Sequence, residues 1–579
     1  MIFSVWAPYA RSVDLVSKQR RIALQPLSGG YWQADVDADA GRGYKYCIDG
    51  GAPVPDPRTR WQPQGVHGDS QTAEKNPAQA VAHADGAFQA VPLKEAVLYE
   101  LHVGTFTPEG TYAAAQTRLA YLRELGITHI ELMPLATFPG LRGWGYDGVD
   151  LFAPFPPYGT PAELAAFVAA CHAQHLAVLL DVVYNHLGPD GNHLAQFGPY
   201  FTDRYQTGWG AAFNFDGPDS DEVRRFVIDN ALMWLKDYGF DGLRLDAVHA
   251  IFSFGAVHVL EELANAVRSL GKELRRSFVL IAESDLNDPR LVQSAAQGGY
   301  GLDAQWADDF HHAVHRYFTG ESGGYYADFH GLQDVAAALR EGYVYQGQYS
   351  VHRKRRHGRP LPGVEPQQLV VSAQNHDQIG NRAQGERLSM LLGMPQLKAI
   401  AALTLLSPFV PLLFQGEEWG ADTPFLYFTD HQDLELGRAV LEGRRREFSA
   451  FRWQGAVPDP QDADTFTRSK LDWSQPMQPK HAELLDWYRR LIRLRHDRVM
   501  LPRESRTDSP KPSTNFDAAA QWLTFVHNGV LAVFNFGGQA QRVPIPGGEW
   551  QPVLSSSREL RPAGAALPPA TTLIYIGGS

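Results

Sequence analysis

Four short apolar runs in the chain end in residues that can move protons or hold charge. Asn185 and His186 follow the run 176–183, Asp246 follows 242–245, Glu283 follows 280–282, and Gln374-Asn375-His376-Asp377 follow 370–373. Arg244 stands two residues before Asp246, so on an extended strand both share one face. If the four runs are neighbouring strands, three carboxyls, two histidines and a guanidinium meet at one edge. Three carboxylates held together repel one another, and an arginine with burial can keep two ionised while the third holds its proton. That set suits glycosidic cleavage, in which a carboxylate attacks the anomeric carbon and a carboxylic acid protonates the leaving oxygen. Metal-dependent hydrolysis is the competing use of such residues, but no HExxH or comparable ligand spacing occurs, and no metal site is predicted. Singly, each residue has a plainer reading. An Asp after a strand can cap a helix, His186 can be a buried core histidine, and Asp181 can be either a partner of Arg244 or a substrate contact.

Such residues need parallel strands that end together. Apolar β-runs at 97–103, 128–133, 176–183, 242–247, 278–282, 301–306, 369–373 and 411–414 alternate with helical patterns such as 161–172 and 221–235. Eight runs predict a closed (β/α)8 TIM barrel over 93–497, which exceeds the ~250 residues typical of the fold and therefore carries long inserted loops. Short alternating stretches over 1–92 predict an N-terminal β-sandwich. The Pro-rich stretch 53–64 and the Ala-rich passage to residue 92 read as its linker to the barrel. Strand character returns in 498–579, a C-terminal all-β domain, so the fold class is multidomain α/β. After the last barrel run come Glu417, Glu418 and Trp419, then Tyr427 and Phe428. These could face the barrel mouth or simply pack their loop.

Composition narrows the partners. The chain has 579 residues, 44% of them hydrophobic, and 52 basic against 64 acidic residues leave a net charge of −12. No general nucleic-acid or anionic-membrane surface is expected from that balance. Thirteen Trp and 23 Tyr supply flat faces that suit sugar rings. Cys47 and Cys171 are too few for a disulfide framework, which fits a reducing compartment. The first residues carry Tyr9, Arg11 and Asp14 where a signal peptide needs an apolar run, and the apolar segment 399–414 is too short to span a bilayer. A cytoplasmic location is expected. The basic run Arg353 to Arg356 reads as a solvated loop rather than an anion site.

The four strand ends stand in the motifs DVVYNH, GLRLDAVHA, IAES and QNHD. In this order they resemble the hallmark regions of the α-amylase family, the family 13 glycoside hydrolases. The resemblance implies a retaining mechanism with Asp246 as nucleophile, Glu283 as general acid and base, and Asp377 stabilising the distorted sugar. It also implies that Arg244 orients the nucleophile, that His186 and His376 bind hydroxyls, and that Tyr146 in GWGYDGVD stacks on the sugar with Asp150 in support. The N-terminal VWAP, GYKYCIDG and PDPRTRWQPQGVHG resemble the family 48 carbohydrate-binding modules. Where plain amylases have a substrate-binding Lys-His pair, this chain has His249 and Ala250, leaving His249 as the contact there. YELHVGTFTPEGT, ELMPLATFPGLRGWGYDGVDLFAP and FQGEEWGADTPFLYFTDH resemble the trehalohydrolase branch of the family. That likeness implies hydrolysis of the α-1,4 bond beside the terminal trehalose of maltooligosyltrehalose, functionally paired with a maltooligosyltrehalose synthase that makes the substrate. Glu417, Trp419 and Tyr427 become candidates for the trehalose-binding wall. A glucan branching or debranching enzyme is the alternative. No catalytic cofactor is implied, and a structural calcium near Asn185 is left open.

Overall fold

A computed structural model describes the chain apart from residues 19, 37–41, 74–87, 452–456, 500–511, 558 and 578–579. Eight parallel strands close into a barrel in the order expected from the sequence. They are β1 (Leu98–Leu101), β2 (His129–Leu132), β3 (Ala177–Val182), β4 (Gly242–Leu245), β5 (Val279–Ala282), β6 (Ala304–Trp306), β7 (Leu369–Ser372) and β8 (Val410–Phe414). Leu98 pairs with Leu412 across the β1–β8 seam, so no strand edge is left open. Alternation along each strand divides its apolar side chains between two cores. Leu98, Leu179, Ile281, Ala304, Val370 and Leu412 form one cluster, while Tyr99, Ile130, Leu180, Leu243 and Leu280 belong to the larger core shared with the helices.

The helices begin where local chemistry directs. Helix α1 (Pro161–Ala173) opens on a capping box between Thr160 and Glu163 with Pro161 in its first turn. Helix α2 (Ser220–Asp237) carries Asp221 and Glu222 in its first turn, where the helix dipole favours acids. Helix α3 (Asp308–Thr319) follows β6, and α4 (Pro479–Leu494) closes the outer shell against the loop after β8. Among the described residues no helix is long and apolar enough to cross a membrane.

Two three-stranded sheets precede the barrel, Ile2–Trp6 with Tyr31–Asp35 and Gln25–Pro26, and Arg20–Ala23 with Val13–Ser17 and Lys45–Ile48. The stretch 53–64 is no free linker. Val54 bridges to Tyr46 and Trp61 to Gln71, Thr59 and Gln62 are fully buried, and Arg58 and Arg60 reach Asp229 and Asp237 of α2, each at 2.8 Å. Tyr9 and Tyr31 donate to Asp219 and Glu222 at 2.6 Å each, so one row of acids along α2 holds the N-terminal sheets to the barrel. An aromatic seam reinforces it, with Trp6 against Tyr200 and Tyr46 against Phe197. Much of the Ala-rich passage, 74–87, lies outside the described residues. The C-terminal unit is one five-stranded antiparallel sheet built on Ser513–Asp517, Trp522–His527, Val530–Asn535, Thr571–Gly577 and Trp550–Ser555. Its central hairpin turns at Asn528-Gly529, both with positive φ as such a two-residue turn requires. Cys47 and Cys171 are both free and buried.

Candidate active site

The polar strand ends open on one cleft of about 750 Å³. Of the expected residues its walls gather Tyr146, His186, Asp246, His249, Glu283, His376, Asp377 and Tyr427. Asp246 follows β4, and its backbone N–H donates to the β3 residue Val182 at 3.0 Å. Its carboxylate takes Arg244 Nη1 on Oδ1 and Asn185 Nδ2 on Oδ2, each at 2.7 Å. Two donors, one of them a guanidinium, hold both carboxyl oxygens in place, as a nucleophile requires. The next residue, Ala247, adopts a left-handed conformation (φ 39°), unusual without glycine. That turn directs the Ala247 N–H onto the Glu283 carboxyl.

Glu283 follows β5 on the neighbouring strand. Burial pushes its carboxyl well above the ordinary value; Arg244 at 3.8 Å opposes this, and Asp246, Asp377 and Asp308 add to it. The result is a protonated acid beside an ionised carboxylate, with Arg244 bridging the two. Asp377 is the most open of the three, and its Oδ2 stands 3.4 Å from His376 Nε2. Burial alone would lower His376, but Asp377 and Glu100 overcome it and raise the imidazole to about 9.

Two expected contacts stand behind the wall. Arg244 is fully buried and stacks over the Trp306 ring at 4.4 Å. Asp181, 2% exposed, takes Arg244 Nη1 on both oxygens at 2.9 and 2.8 Å and the Tyr146 hydroxyl at 2.6 Å. Its place is support for Arg244 and Tyr146, not contact with a ligand. Asp150 is likewise absent from the cleft, where Asp147 of the same motif stands.

The loop after β8 departs further from expectation. Gly416, with φ 82°, turns the chain at once into the short helical turn Glu417–Trp419, which runs toward α4. Trp419 is fully buried against Tyr121 and Trp473, and its carbonyl accepts from His481. Glu417 takes the Phe414 N–H and the Tyr488 hydroxyl, and burial lifts its carboxyl to about 8. Both are core residues of the outer shell, and neither lines the cleft. Tyr427 does, with the Arg444 guanidinium 4.6 Å from its ring.

Other wall residues escaped the sequence reading. The hairpin of Tyr349–Ser350 with Arg355–Arg356 carries Arg353 back to the cleft, where it donates to Asp285 at 2.8 Å. The basic run is therefore not simply a solvated loop. Asp308, raised to about 7 by burial and by Asp285, Asp377 and Asp309, lines the same wall with His312, Tyr325 and His352. Asp308 obeys the strand-end rule, two residues past the end of the run 301–306, but the sequence carried no motif there to single it out. Trp209, 55% exposed, stacks on His186 at 5.7 Å and meets His249 edge-on at 6.4 Å. Among the described residues no group of three or more His, Cys, Asp or Glu could hold a metal ion. Asn185 turns its oxygen to His186 Nδ1 at 2.5 Å and its amide to Asp246.

The chain matches the family model of the alpha amylase catalytic domain over residues 75–203. It is 49% identical over 556 residues to the malto-oligosyltrehalose trehalohydrolase of Rhizobium sp. (strain M-11), covering 94% of this chain and 92% of that one. Identity to the malto-oligosyltrehalose trehalohydrolase of Arthrobacter ramosus is 52% over 531 residues, 90% of each chain. A crystal structure of a Salmonella typhimurium protein provisionally named an alpha amylase has a TM-score of 0.89 at 36% identity, covering all of this chain and 97% of the other. Relatives this similar over nine-tenths of the length, with the barrel and its carboxyl-lined cleft, place the chain in the malto-oligosyltrehalose trehalohydrolases of the alpha-amylase family.

Proposed function

We propose that the protein is a retaining glycoside hydrolase that cleaves the α-1,4 bond next to the terminal trehalose of maltooligosyltrehalose, releasing trehalose and a maltooligosaccharide. The observation that carries this reading is the pairing of an arginine-held Asp246 with a protonated Glu283 on adjacent strand ends of one cleft, in a chain whose relatives bear that name. Asp246 attacks the anomeric carbon while Glu283 gives its proton to the departing trehalose oxygen, leaving a covalent glycosyl ester. Glu283, now ionised, takes a proton from water, whose oxygen attacks the same carbon and frees Asp246. Asp377 and the His376 imidazolium hold sugar hydroxyls as the ring distorts, and Tyr146 offers its ring face. Every proton and charge in this sequence has a side chain of the chain to carry it.

Trehalose has no reducing end, and its second glucose turns away from the path of a linear glucan. A wall rich in charged acceptors and donors suits it, and Asp285, Asp308, His312, His352 and Arg353 form one. His249 stands in the wall of the same cleft, with Trp209 edge-on to its ring. Supply of the substrate by a maltooligosyltrehalose synthase belongs to the same proposal. The test is incubation with maltotriosyltrehalose and, separately, maltopentaose, with products resolved by chromatography. Trehalose release should far outpace maltopentaose cleavage. Cleavage or rearrangement of plain glucan without trehalose release would move the chain to amylase, debranching or branching chemistry.

A further inference from the structure

Glu100 on β1, in the stretch YELHVGTFTPEGT, stands outside the four strand-end motifs and does not line the cleft. It is 1% exposed, with Oε1 2.5 Å from His376 Nδ1 and Oε2 accepting the His376 backbone N–H at 3.0 Å. On its other side His376 Nε2 lies 2.7 Å from the Tyr146 hydroxyl. Counting protons along this chain fixes the state of the ring. Asp181 takes Arg244 Nη1 on both oxygens; burial raises it to about 6, so above that pH it is ionised and receives the single Tyr146 hydroxyl proton at 2.6 Å. Toward His376 the phenol oxygen can therefore only accept, and Nε2 must carry a proton. At Nδ1 a carboxylate that already accepts a backbone N–H requires a second.

We propose that Glu100 is a positioning residue of the active site, which holds His376 as an imidazolium and thereby decides which cleft carboxyl keeps the one catalytic proton. The inference rests on the hydrolase reading above. An imidazolium 3.4 Å from Asp377 Oδ2 places a fixed positive charge beside that carboxyl, and the Asp377 charge in turn raises Glu283. A neutral ring would withdraw that counter-charge and change the balance under which Glu283 holds its proton.

The surroundings of His376 agree. Besides Glu100, the groups facing it are Glu131 on β2, Tyr146 beyond β2, Asp181 on β3, Arg244 on β4, its neighbour Asp377, and His102 after β1. Glu131 sits beside Glu100 in register, and both its oxygens lack a partner among the described residues. Burial, then Glu100, pushes Glu131 well up, so it is neutral and adds no second anion. Arg244 opposes a charged imidazole, and Asp377 and Glu100 outweigh it. Trp144 and Trp306 wall the ring off with aromatic faces.

The test is ¹⁵N-histidine NMR of the full-length protein, with the His376 signal assigned by its loss in His376→Gln. Both ring nitrogens should be protonated at pH 8 in the parent. In Glu100→Gln, which removes the buried charge, the ring should be neutral by about pH 7. Glu100→Asp, which keeps the charge, should restore the imidazolium there. Glu100→Gln should also lower kcat about tenfold or more with little change in KM, and its activity should fall away at lower pH than the parent's. A purely structural carboxylate would depress activity without moving the ring titration. A neutral His376 in the parent at pH 8, or the same titration in Glu100→Gln, would overturn the proposal; if Glu100→Gln does not fold, the parent and Glu100→Asp spectra still decide. The spectra need no substrate, so failure to release trehalose would count against the hydrolase reading alone.

Discussion

Replacing Glu283 by Gln should slow turnover by orders of magnitude while leaving the fold at least as stable, whereas Asp246→Asn should damage both. The difference follows from the charge each carboxyl carries. Glu283 is held protonated, so an amide of the same shape changes no charge, and its oxygen can still accept the Ala247 N–H. A carboxyl raised on folding makes the parent lose stability as pH climbs from the ordinary carboxyl value toward its folded one, by about 1.4 kcal/mol per pH unit in that window. Gln does not titrate, so at pH 7 the variant should unfold at or above the parent's midpoint. Asp246 instead faces two donors, Arg244 Nη1 and Asn185 Nδ2, both at 2.7 Å. Asn has one oxygen and must turn its own N–H bonds toward one of them. Losing a charged partner of a buried guanidinium costs about 3–5 kcal/mol when nothing replaces it; Arg244 keeps Asp181, which brings the expectation to about 1–3 kcal/mol. Loss of the proton donor should slow trehalose release by about 10²–10⁴, or about 3–5.5 kcal/mol. Trehalose from maltotriosyltrehalose measures the rate, calorimetry with the same sugar measures binding, which Glu283→Gln should retain, and urea titration at pH 5 and 7 measures stability. If the two variants are destabilised alike, or if Asp246→Asn unfolds like the parent, the assignment of proton and charge is wrong.

Arg353→Ala should weaken trehalose release by about 10–100-fold in kcat/KM, the value of a charge-assisted hydrogen bond, and leave any slow cleavage of maltopentaose unaltered; equal losses on both sugars would remove Arg353 from the trehalose wall. Glu417→Gln should leave the ratio of the two activities unchanged, because Glu417 faces Tyr488 and not the cleft. Trp419→Ala should lower the unfolding free energy by about 3–5 kcal/mol through the cavity it opens, and a change of product pattern in a still-folded Trp419→Phe would return Trp419 to the site. Arg58→Ala with Arg60→Ala should lower the thermal midpoint only slightly and less so in high salt, since both pairs are partly exposed.

The barrel was legible because each strand is a short apolar run that stops at a polar residue, and the rule that function gathers at strand ends then located Asp246, Glu283 and Asp377. Where that rule has no direction, reading failed. Glu417 and Trp419 stand three and five residues past the end of β8, no farther than Asp377 stands past the end of β7, but one left-handed glycine, Gly416, turns them toward α4. Sequence distance tells how far a residue stands from a strand, and a single φ angle tells which way it leaves. Arg353 was hidden for the opposite reason, since a two-residue ladder of Tyr349–Ser350 with Arg355–Arg356 is too short to read as a hairpin. Asp181 shows a third limit. Its polarity on a strand was plain, but its separation from the cleft is a property of two strands and Tyr146 together.

The row of acids on α2 bears on how such a protein can be taken apart. Asp219, Glu222, Asp229 and Asp237 each have a tyrosine or arginine partner on the N-terminal segment, and Trp6 and Tyr46 rest on Tyr200 and Phe197 of the barrel. A barrel expressed from residue 93 onward would strip these acids of their N-terminal partners, leaving Arg225 on Glu222, beside a bared aromatic strip that draws copies together. The N-terminal sheets are in that sense no accessory to be grafted or trimmed between relatives; any exchange must carry its own matching α2.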